Sequence, residues 1–435
     1  MAVMRGSPLT VAGAVRAGRS RFPFKSLSGR LSHGQLYLSC GQGQVPDGHR
    51  WPEPCTALRQ MTDTAGSVVN AAAPSHGAER FLLLDGLRGV AAFAVILDHV
   101  PGGWLGDLIP GRYLAVDFFF VLSGFVLAHA YGRGLEAGGS AFAFMKVRLI
   151  RLYPMYLLGL AIALSLVVLG AARGWLGPGW TDILTVAALG LLFLPAPQTA
   201  TYGHGELYPA NPPAWSLFFE LAANLVYAFV ARFLSWRVLI AILAAGAAAV
   251  AFTVIRHGDV RGPGWMWGHL DAGLARVMFD FFAGVAIYRL RDVIKLPRLP
   301  WWAATGAFVV VIAAAPTGVW RVAFDIAAAL VLMPTLVALA SGSVVTGVVA
   351  RACAASGILS YGVYVLHVPL LGAISTASAV MGVHLGEGPL LALSVALAAG
   401  LVAWVADRLY DRPARRWLSG RARRPKPFAA ARERG

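Results

Sequence analysis

Cysteine and charge are both scarce in this chain of 435 residues. Of the three cysteines, Cys40, Cys55 and Cys353, one lies in the hydrophobic body of the sequence, which argues against a disulfide framework and a cysteine-based metal site. Only 13% of the residues are charged, against roughly 25% in an average soluble domain. No nucleotide-binding loop, dinucleotide fingerprint, zincin motif or nucleophile elbow occurs. These absences argue against the classes of soluble enzyme that carry such motifs.

Long apolar runs dominate the sequence instead. The chain is 57% hydrophobic with a mean hydropathy of +0.64. Runs long enough to cross a bilayer as helices, most of them about 18 to 22 residues, lie at 81–100, 114–132, 152–172, 214–231, 237–255, 271–289, 301–315, 322–340, 356–374 and 388–408. We therefore predict an all-α polytopic membrane protein with about ten transmembrane helices, plus a short re-entrant or interfacial segment near 183–195.

The basic residues predict the orientation of these helices. The formal net charge is +16, and the arginines collect in short connections and in the stretch 411–435. This is the positive-inside pattern, and a basic tail can also lie on anionic lipid. It argues against nucleic acid as the partner. If every basic cluster faces the cytoplasm, an even number of crossings must separate successive clusters. Both termini are then cytoplasmic and the 183–195 segment does not cross.

Composition divides the chain into three parts. Residues 1–79 are rich in Gly, Ser, Pro and Arg and show neither helical nor strand periodicity, so we predict a disordered N-terminal extension. Residues 80–418 contain all the apolar runs and form the predicted transmembrane domain. Residues 419–435 form a basic cytoplasmic tail.

An arginine and a histidine lie eleven residues apart in the first apolar run, FLLLDGLRGVAAFAVILDHV. Eleven steps on a helix return to within about 20° of the starting face and advance about 16 Å. Arg88 and His99 therefore share a face, with Arg88 in the inner half and His99 near the outer end. Ionisable residues within a membrane helix indicate function by default. A snorkelling anchor at Arg88 and an interfacial histidine at His99 are the structural alternatives.

Four further residues are predicted on the outer side. Asp117 falls at the level of His99 and would hold a histidine ring N–H, or simply cap its helix. Glu220 lies about two turns inside its helix and would orient a histidine, bind hydroxyl groups, or serve as a structural hydrogen-bond hub. Trp215 lies at the interface. His367 lies in the outer half of its run, where a packing role is the alternative.

The inner side carries the predicted anion site. Arg148 and Arg151 are three residues apart on one helical face, in RLIRLYP. Forked guanidinium groups suit phosphate, although a plain positive-inside anchor explains them equally well. Tyr361 adds a hydroxyl on the same side. This polarity predicts an anionic carrier held inside and a hydroxyl group activated outside.

Several ordered motifs carry a family resemblance. They are LDGLRGVAAFAVILDH, VDFFFVLSGFVL, RLIRLYP, WSLFFE, SYGVYVLHVP and DRPARR, spread over residues 80–418. At these residues the chain resembles acyltransferase family 3, whose members O-acylate extracytoplasmic polysaccharides, lipid-linked glycans and, in some cases, macrolides or other small molecules. Many relatives carry a second, esterase-like domain after the membrane part, and this sequence shows none.

The resemblance implies a membrane O-acyltransferase in a bacterial inner membrane. The donor substrate would be cytoplasmic acyl-CoA, expected to be acetyl-CoA, with no permanently bound cofactor and no metal. The acceptor would be a hydroxyl of a glycan, a lipid-linked sugar or a small molecule. A transporter or flippase for a polar lipid or glycan is the alternative from another class. The predicted site residues are His99, Asp117 and Glu220 for catalysis, Arg88, Arg148 and Arg151 for the donor, and Trp215, Tyr361 and His367 for substrate.

Overall fold

A computed structural model describes residues 81–100, 108–174, 178–200, 205–260, 264–382 and 389–421. The predicted N-terminal extension 1–79 and most of the predicted tail 419–435 lie outside these ranges. Over the described ranges the chain consists of helices and their connections, and one isolated antiparallel bridge joins Glu206 to Met266. The all-α prediction is confirmed for this part of the chain.

Eleven helical segments follow one another along the described residues. Three of them contain a π-helical turn, at Ala128–Gly132, Ala328–Leu332 and Asp407–Asp411. The segments are α1 Leu82–His99, α2 Arg112–Glu136, α3 Ala141–Ala172, α4 Trp180–Leu191, α5 Ala214–Val230, α6 Trp236–His257, α7 Leu270–Leu290, α8 Trp301–Ala313, α9 Trp320–Ser341, α10 Gly347–Met381 and α11 Pro389–Ala406, which continues as far as Arg421.

Seven helices of the described chain are long and apolar enough to cross a membrane: α2, α3, α5, α6, α9, α10 and α11. The predicted count of about ten is not confirmed. Two of the other predicted spans, α1 and α7, each carry at least three charged residues, and the third, α8, has only 13 residues. Helix α4 has 12 residues and overlaps the 183–195 segment. Its re-entrant or interfacial placement stays a prediction.

Glycine allows α2 and α7 to touch along their backbones. A Cβ atom added at Gly124 would lie 1.9 Å from the carbonyl oxygen of Phe281, and one added at Gly284 would lie 2.0 Å from that of Val121. Small residues at a helix crossing let two membrane helices approach closely enough for extensive van der Waals contact. This crossing sets α2, with Asp117, against α7.

A second close crossing joins α1 to α10. A Cβ atom at Gly89 would lie 1.6 Å from the Ser356 hydroxyl oxygen, and one at Gly357 would lie 2.6 Å from the Asp85 side chain. Glycine on each helix therefore lets the partner's polar side chains fill the gap. The contact sets the separation of the two helices whose outer halves carry the predicted histidines.

A proline and a buried asparagine fix the outer half of α10. Pro369 has no N–H to donate to the carbonyl group of Val365, four residues earlier. The Asn211 side chain, 2% exposed, donates from Nδ2 to this carbonyl at 3.2 Å. The hydrogen bond that the proline removes is thus replaced from the connection before α5, beside His367.

We expect Gly124→Val to lower the thermal stability of the protein, because its side chain must displace the backbone of α7. Overpacking a core typically costs about 1–3 kcal/mol, and a clash with a backbone carbonyl should reach the upper end of that range. Gly400→Val is the matched control, because nothing lies within 4 Å of a Cβ atom there. Thermal unfolding in detergent, followed by size-exclusion chromatography, measures the difference. Equal midpoints for the two variants would contradict the proposed crossing.

Candidate functional site

An outer cavity of about 480 Å³ opens at the His99 end of α1. Residues from α1, α2, α5, α7 and α10 contribute to it, and the two glycine crossings set α1 against α10 and α2 against α7. Its wall combines aromatic rings with charged side chains, a mixture that holds a polar ligand by stacking and by hydrogen bonds. The residues that matter below are Asp98, His99, Arg112, Trp215, Arg276 and Tyr364.

An inner cavity of about 200 Å³ lies around the predicted donor-binding arginines. Arg88 reaches it from α1, whereas Arg148 and Arg151 reach it from the first half of α3. Three guanidinium groups from two helices therefore converge on one space. Other side chains of this cavity are Ser123, Glu220, Ser360 and Tyr361.

Two residues belong to the walls of both cavities. Val116 of α2 and Tyr364 of α10 line the outer cavity and also the inner one. The Tyr364 hydroxyl lies 2.6 Å from Ser216 Oγ, which fixes the ring against the start of α5. The two cavities therefore adjoin at Val116 and Tyr364. Arg88 faces one of them and His99 the other, as their shared helical face predicts.

The nearest ring to His99 is that of His367. Nε2 of His367 lies 3.3 Å from Nδ1 of His99, and the ring centroids are 4.8 Å apart. His367 Nδ1 lies 2.7 Å from the Tyr364 carbonyl oxygen, and His99 Nδ1 lies 2.9 Å from that of Val95. Since a carbonyl group only accepts, both Nδ1 atoms carry hydrogen in the neutral pair. His367 Nε2 is then an acceptor for His99, and the lone pair of His99 is on Nε2.

The sequence led us to expect that Asp117 supports His99. In the structure Asp117 pairs with Arg276 instead. Its two carboxylate oxygens are bound by Arg276 of α7, with Nε donating to Oδ1 at 2.9 Å and Nη2 to Oδ2 at 2.7 Å. Asp117 is fully buried and Arg276 is 2% exposed. Burying a carboxylate is costly unless a cation compensates its charge. The close crossing of α2 and α7 supplies the guanidinium of Arg276 for this purpose.

Glu220 belongs to the inner cavity and not to the outer group in which its sequence position placed it. Oε1 accepts hydrogen bonds from Arg148 Nη2 at 2.7 Å and from the Ser123 hydroxyl at 2.6 Å. Asn224 lies one turn further along α5. When its amide nitrogen donates to the Glu220 backbone carbonyl, its amide oxygen accepts from Arg148 Nε at 3.2 Å. A carboxylate and an amide therefore fix the guanidinium of Arg148.

The remaining predicted residues divide between the two cavities. Arg151 lies over the Tyr361 ring, with Cζ 5.6 Å from its centroid, and the Tyr361 hydroxyl donates to the Leu152 carbonyl at 2.5 Å. Tyr361 thus supports the inner arginines. Arg88 lies 4.0 Å from the carboxylate of Asp85, and Trp215 lines the outer cavity.

Two ion-pair partners cannot be identified from the sequence alone. Arg276 pairs with Asp117 across 159 positions of sequence, and Arg112 pairs with Asp98 at 2.8 Å. Arg276 lies in the apolar run 271–289, and a guanidinium within a membrane helix indicates that an acid is buried beside it. Its partner could not be identified without the helix packing.

No metal centre is formed by the part of the chain that the structure describes, where no group of three or more histidine, cysteine, aspartate or glutamate side chains could hold an ion.

Comparison with known proteins identifies the family of the chain. The profile of the acyltransferase domain matches residues 81–408. A curated relative, "Protein 2 in picA locus" of Rhizobium radiobacter, is 47% identical over 161 residues, which are 34% of this chain and 82% of that protein. No solved structure matches the chain. With a family match over most of its length and a bundle of apolar helices, the chain belongs to acyltransferase family 3 and is a multi-pass membrane acyltransferase.

Proposed function

We propose that the protein transfers an acyl group, expected to be acetyl, from cytoplasmic acyl-CoA to a hydroxyl group at the opposite membrane face. The observation that carries this proposal is the adjoining pair of cavities, one surrounded by three arginines and the other containing His99. A donor with phosphates at one end and a thioester at the other suits such a pair. The positive-inside pattern supports a cytoplasmic location for the arginine end.

The inner cavity would hold the phosphates of acyl-CoA. Guanidinium groups bind phosphate through paired, charge-assisted hydrogen bonds. Glu220 and Asn224 engage Arg148 through Nη2 and Nε, and the guanidinium lines the inner cavity. A side chain already fixed in this way loses little rotamer entropy on binding. The pantetheine arm would then extend past Val116 and Tyr364 towards His99.

His99 would act as the general base on the acceptor. Nε2 takes the proton of the acceptor hydroxyl as its oxygen attacks the thioester carbonyl carbon. When the tetrahedral intermediate collapses, the carbon–sulfur bond breaks and the imidazolium returns the proton to the leaving thiolate. The products are the acyl ester and free CoA, so atoms and charge balance in a direct transfer. No acyl-enzyme is required.

His367 would position His99 for this role. The chain of hydrogen bonds from His99 Nδ1 through His367 to the Tyr364 carbonyl holds the hydrogen of His99 on Nδ1. The basic nitrogen is therefore the one that faces away from His367. The relay supplies the orientation that a carboxylate gives in other catalytic dyads.

The outer cavity would bind the acceptor. Its volume of about 480 Å³ falls within the range of roughly 300–1,000 Å³ that is usual for small-molecule sites. Trp215 and Trp265 offer ring faces, and Asp98 and Arg112 offer charged hydrogen-bonding groups. This mixture supports a hydroxyl-rich acceptor, such as one sugar unit of a glycan or lipid-linked glycan, or a small polar molecule.

Replacing the proposed base should abolish transfer. We expect His99→Ala to reduce label transfer from isotope-labelled acetyl-CoA to surface glycans or small metabolites by about 10²–10⁴-fold, the usual range for a lost general base. The control is His269→Ala, which removes a histidine outside both cavities. Membrane-bound protein is quantified for both variants. Full activity of a well-expressed His99→Ala variant would refute the assignment.

Two variants distinguish a role of His367 in the hydrogen-bond relay from a role in packing. Gln places its amide oxygen near the position of Nε2 and keeps an acceptor for His99, whereas Asn reaches only the position of Nδ1. We expect His367→Gln to retain most of kcat and His367→Asn to lose about tenfold or more, with KM for acetyl-CoA unchanged in both, in line with the loss of one hydrogen bond of about 1–2 kcal/mol. Equal losses in the two variants would leave His367 with a packing role only.

Phosphate recognition by Arg148 can be tested with two donors. We expect Arg148→Gln to raise KM for acetyl-CoA about tenfold or more, since a hydrogen bond to a charged group contributes about 1.5–3 kcal/mol. S-acetylpantetheine carries the same thioester without phosphates, so its turnover should not change. Lys146→Gln removes an exposed cation of the same helix and is the control. An equal effect on both donors would place Arg148 outside phosphate binding.

A further inference from the structure

A third cavity, of about 400 Å³, lies at the arginine end of the bundle and is absent from the proposed reaction. Its walls are Phe81 at the start of α1, residues 291–298 between α7 and α8, and residues 338–342 around the end of α9. We call it the basic cavity. It shares no lining residue with the inner cavity that surrounds Arg88. It is therefore a separate site.

Cations outnumber acids in its wall. Arg291, Lys295 and Arg298 line the basic cavity, and Asp292 is the acid among its lining residues. The side chain of Asp292 is 78% exposed, so solvent screens its charge. A cavity that gathers an excess of cations around one space attracts an anion, and arginine and lysine are both suited to phosphate groups.

One of these cations is fixed in place by aromatic rings. Arg291 Cζ lies 4.8 Å from the centroid of the Tyr288 ring and 5.7 Å from that of Phe81. Contact with ring faces orients the guanidinium plane, and Arg291 Nε also lies 3.5 Å from Asp292 Oδ1. Arg291 is therefore oriented before a ligand arrives, while Lys295 and Arg298 provide adaptable charge.

Apolar side chains alternate with the cations along the same connection. Ile294 and Leu296 line the basic cavity and are 48% and 43% exposed, and Val293 beside them is 76% exposed. Exposed aliphatic groups next to lysine and arginine are typical of a segment at the level of lipid headgroups. A freely soluble phosphate would gain nothing from these groups, whereas the acyl chains of a lipid would cover them.

We propose that the basic cavity binds the phosphate headgroup of an anionic phospholipid, with the lipid chains against Val293, Ile294 and Leu296. Basic pockets between membrane helices on the cytoplasmic side are suited to such headgroups. A bound lipid would contact Phe81 and so brace the start of α1, the helix that carries Arg88 and His99. The proposal does not depend on which donor or acceptor the protein uses.

The test is lipid binding to the full chain purified in a mild detergent. Phosphatidylglycerol and phosphatidylcholine of the same chain composition are titrated separately, and native mass spectrometry counts the bound lipid. We expect one tightly held phosphatidylglycerol, and a Lys295→Gln/Arg298→Gln variant should weaken it about thirtyfold, at roughly a factor of five for each cation near an anionic lipid. Each single variant should show about a fivefold effect, which keeps the test valid if the double variant is unstable.

The control removes the same charge from the same end of the bundle. Arg232 and Arg237 are exposed and lie outside the lining of the basic cavity, so Arg232→Gln/Arg237→Gln should leave phosphatidylglycerol binding within about twofold. Equal binding of the two lipids, or equal losses in the two double variants, would overturn the proposal. Competition by sn-glycerol 3-phosphate at the same concentrations would assign the site to a soluble phosphate ester and would also overturn the lipid assignment.

Discussion

The close contact between α1 and α10 is the constraint on which the site depends. Gly89 and Gly357 let these helices approach until the side chains of one fill the space left by the other. The outer halves of the helices then bring His99 and His367 within 3.3 Å of each other. A wider crossing would separate the two rings and leave each with only the carbonyl acceptor of its own helix. Helix packing therefore determines both the stability and the chemistry of the pair.

Buried charge is compensated within small groups of side chains, and this compensation separates structural from reactive groups. Asp117 and Arg276, which are 0% and 2% exposed, neutralise each other through two hydrogen bonds. Breaking such a pair by removing one partner is costly, because the other charge remains buried. Glu220 neutralises part of the inner cluster but leaves Arg88 and Arg151 to face the cavity. The inner cavity consequently keeps an excess of positive charge, and the outer cavity keeps an imidazole held by neutral acceptors.

The sequence predicted what lies within one helix and failed where two helices meet. The eleven-residue spacing placed Arg88 and His99 on one face because helical geometry is regular, and the three-residue spacing likewise grouped Arg148 with Arg151. The positive-inside distribution of basic residues also predicted that Arg88, Arg148 and Arg151 lie on the same side of the membrane. Asp117 was assigned to the wrong partner because its depth was known but its rotation towards Arg276 was not. Glu220 was placed too far out for the same reason. The count of about ten spans is not confirmed, because charges interrupt α1 and α7 and because α8 is short.

The boundary between the two cavities has a consequence for the proposed reaction. Val116 and Tyr364 stand between the arginines and His99, and the Tyr364 hydroxyl is held by Ser216. In the proposed reaction a thioester in an open aqueous channel would be exposed to hydrolysis, and packed side chains at this boundary would limit the access of water along the path from the inner cavity. In the proposed reaction only a thin, flexible arm would need to pass this point, because the phosphates would stay with the arginines and the acceptor would enter from the other side. Separating the charged end of the donor from the base would then also protect the thioester until a hydroxyl group is in place.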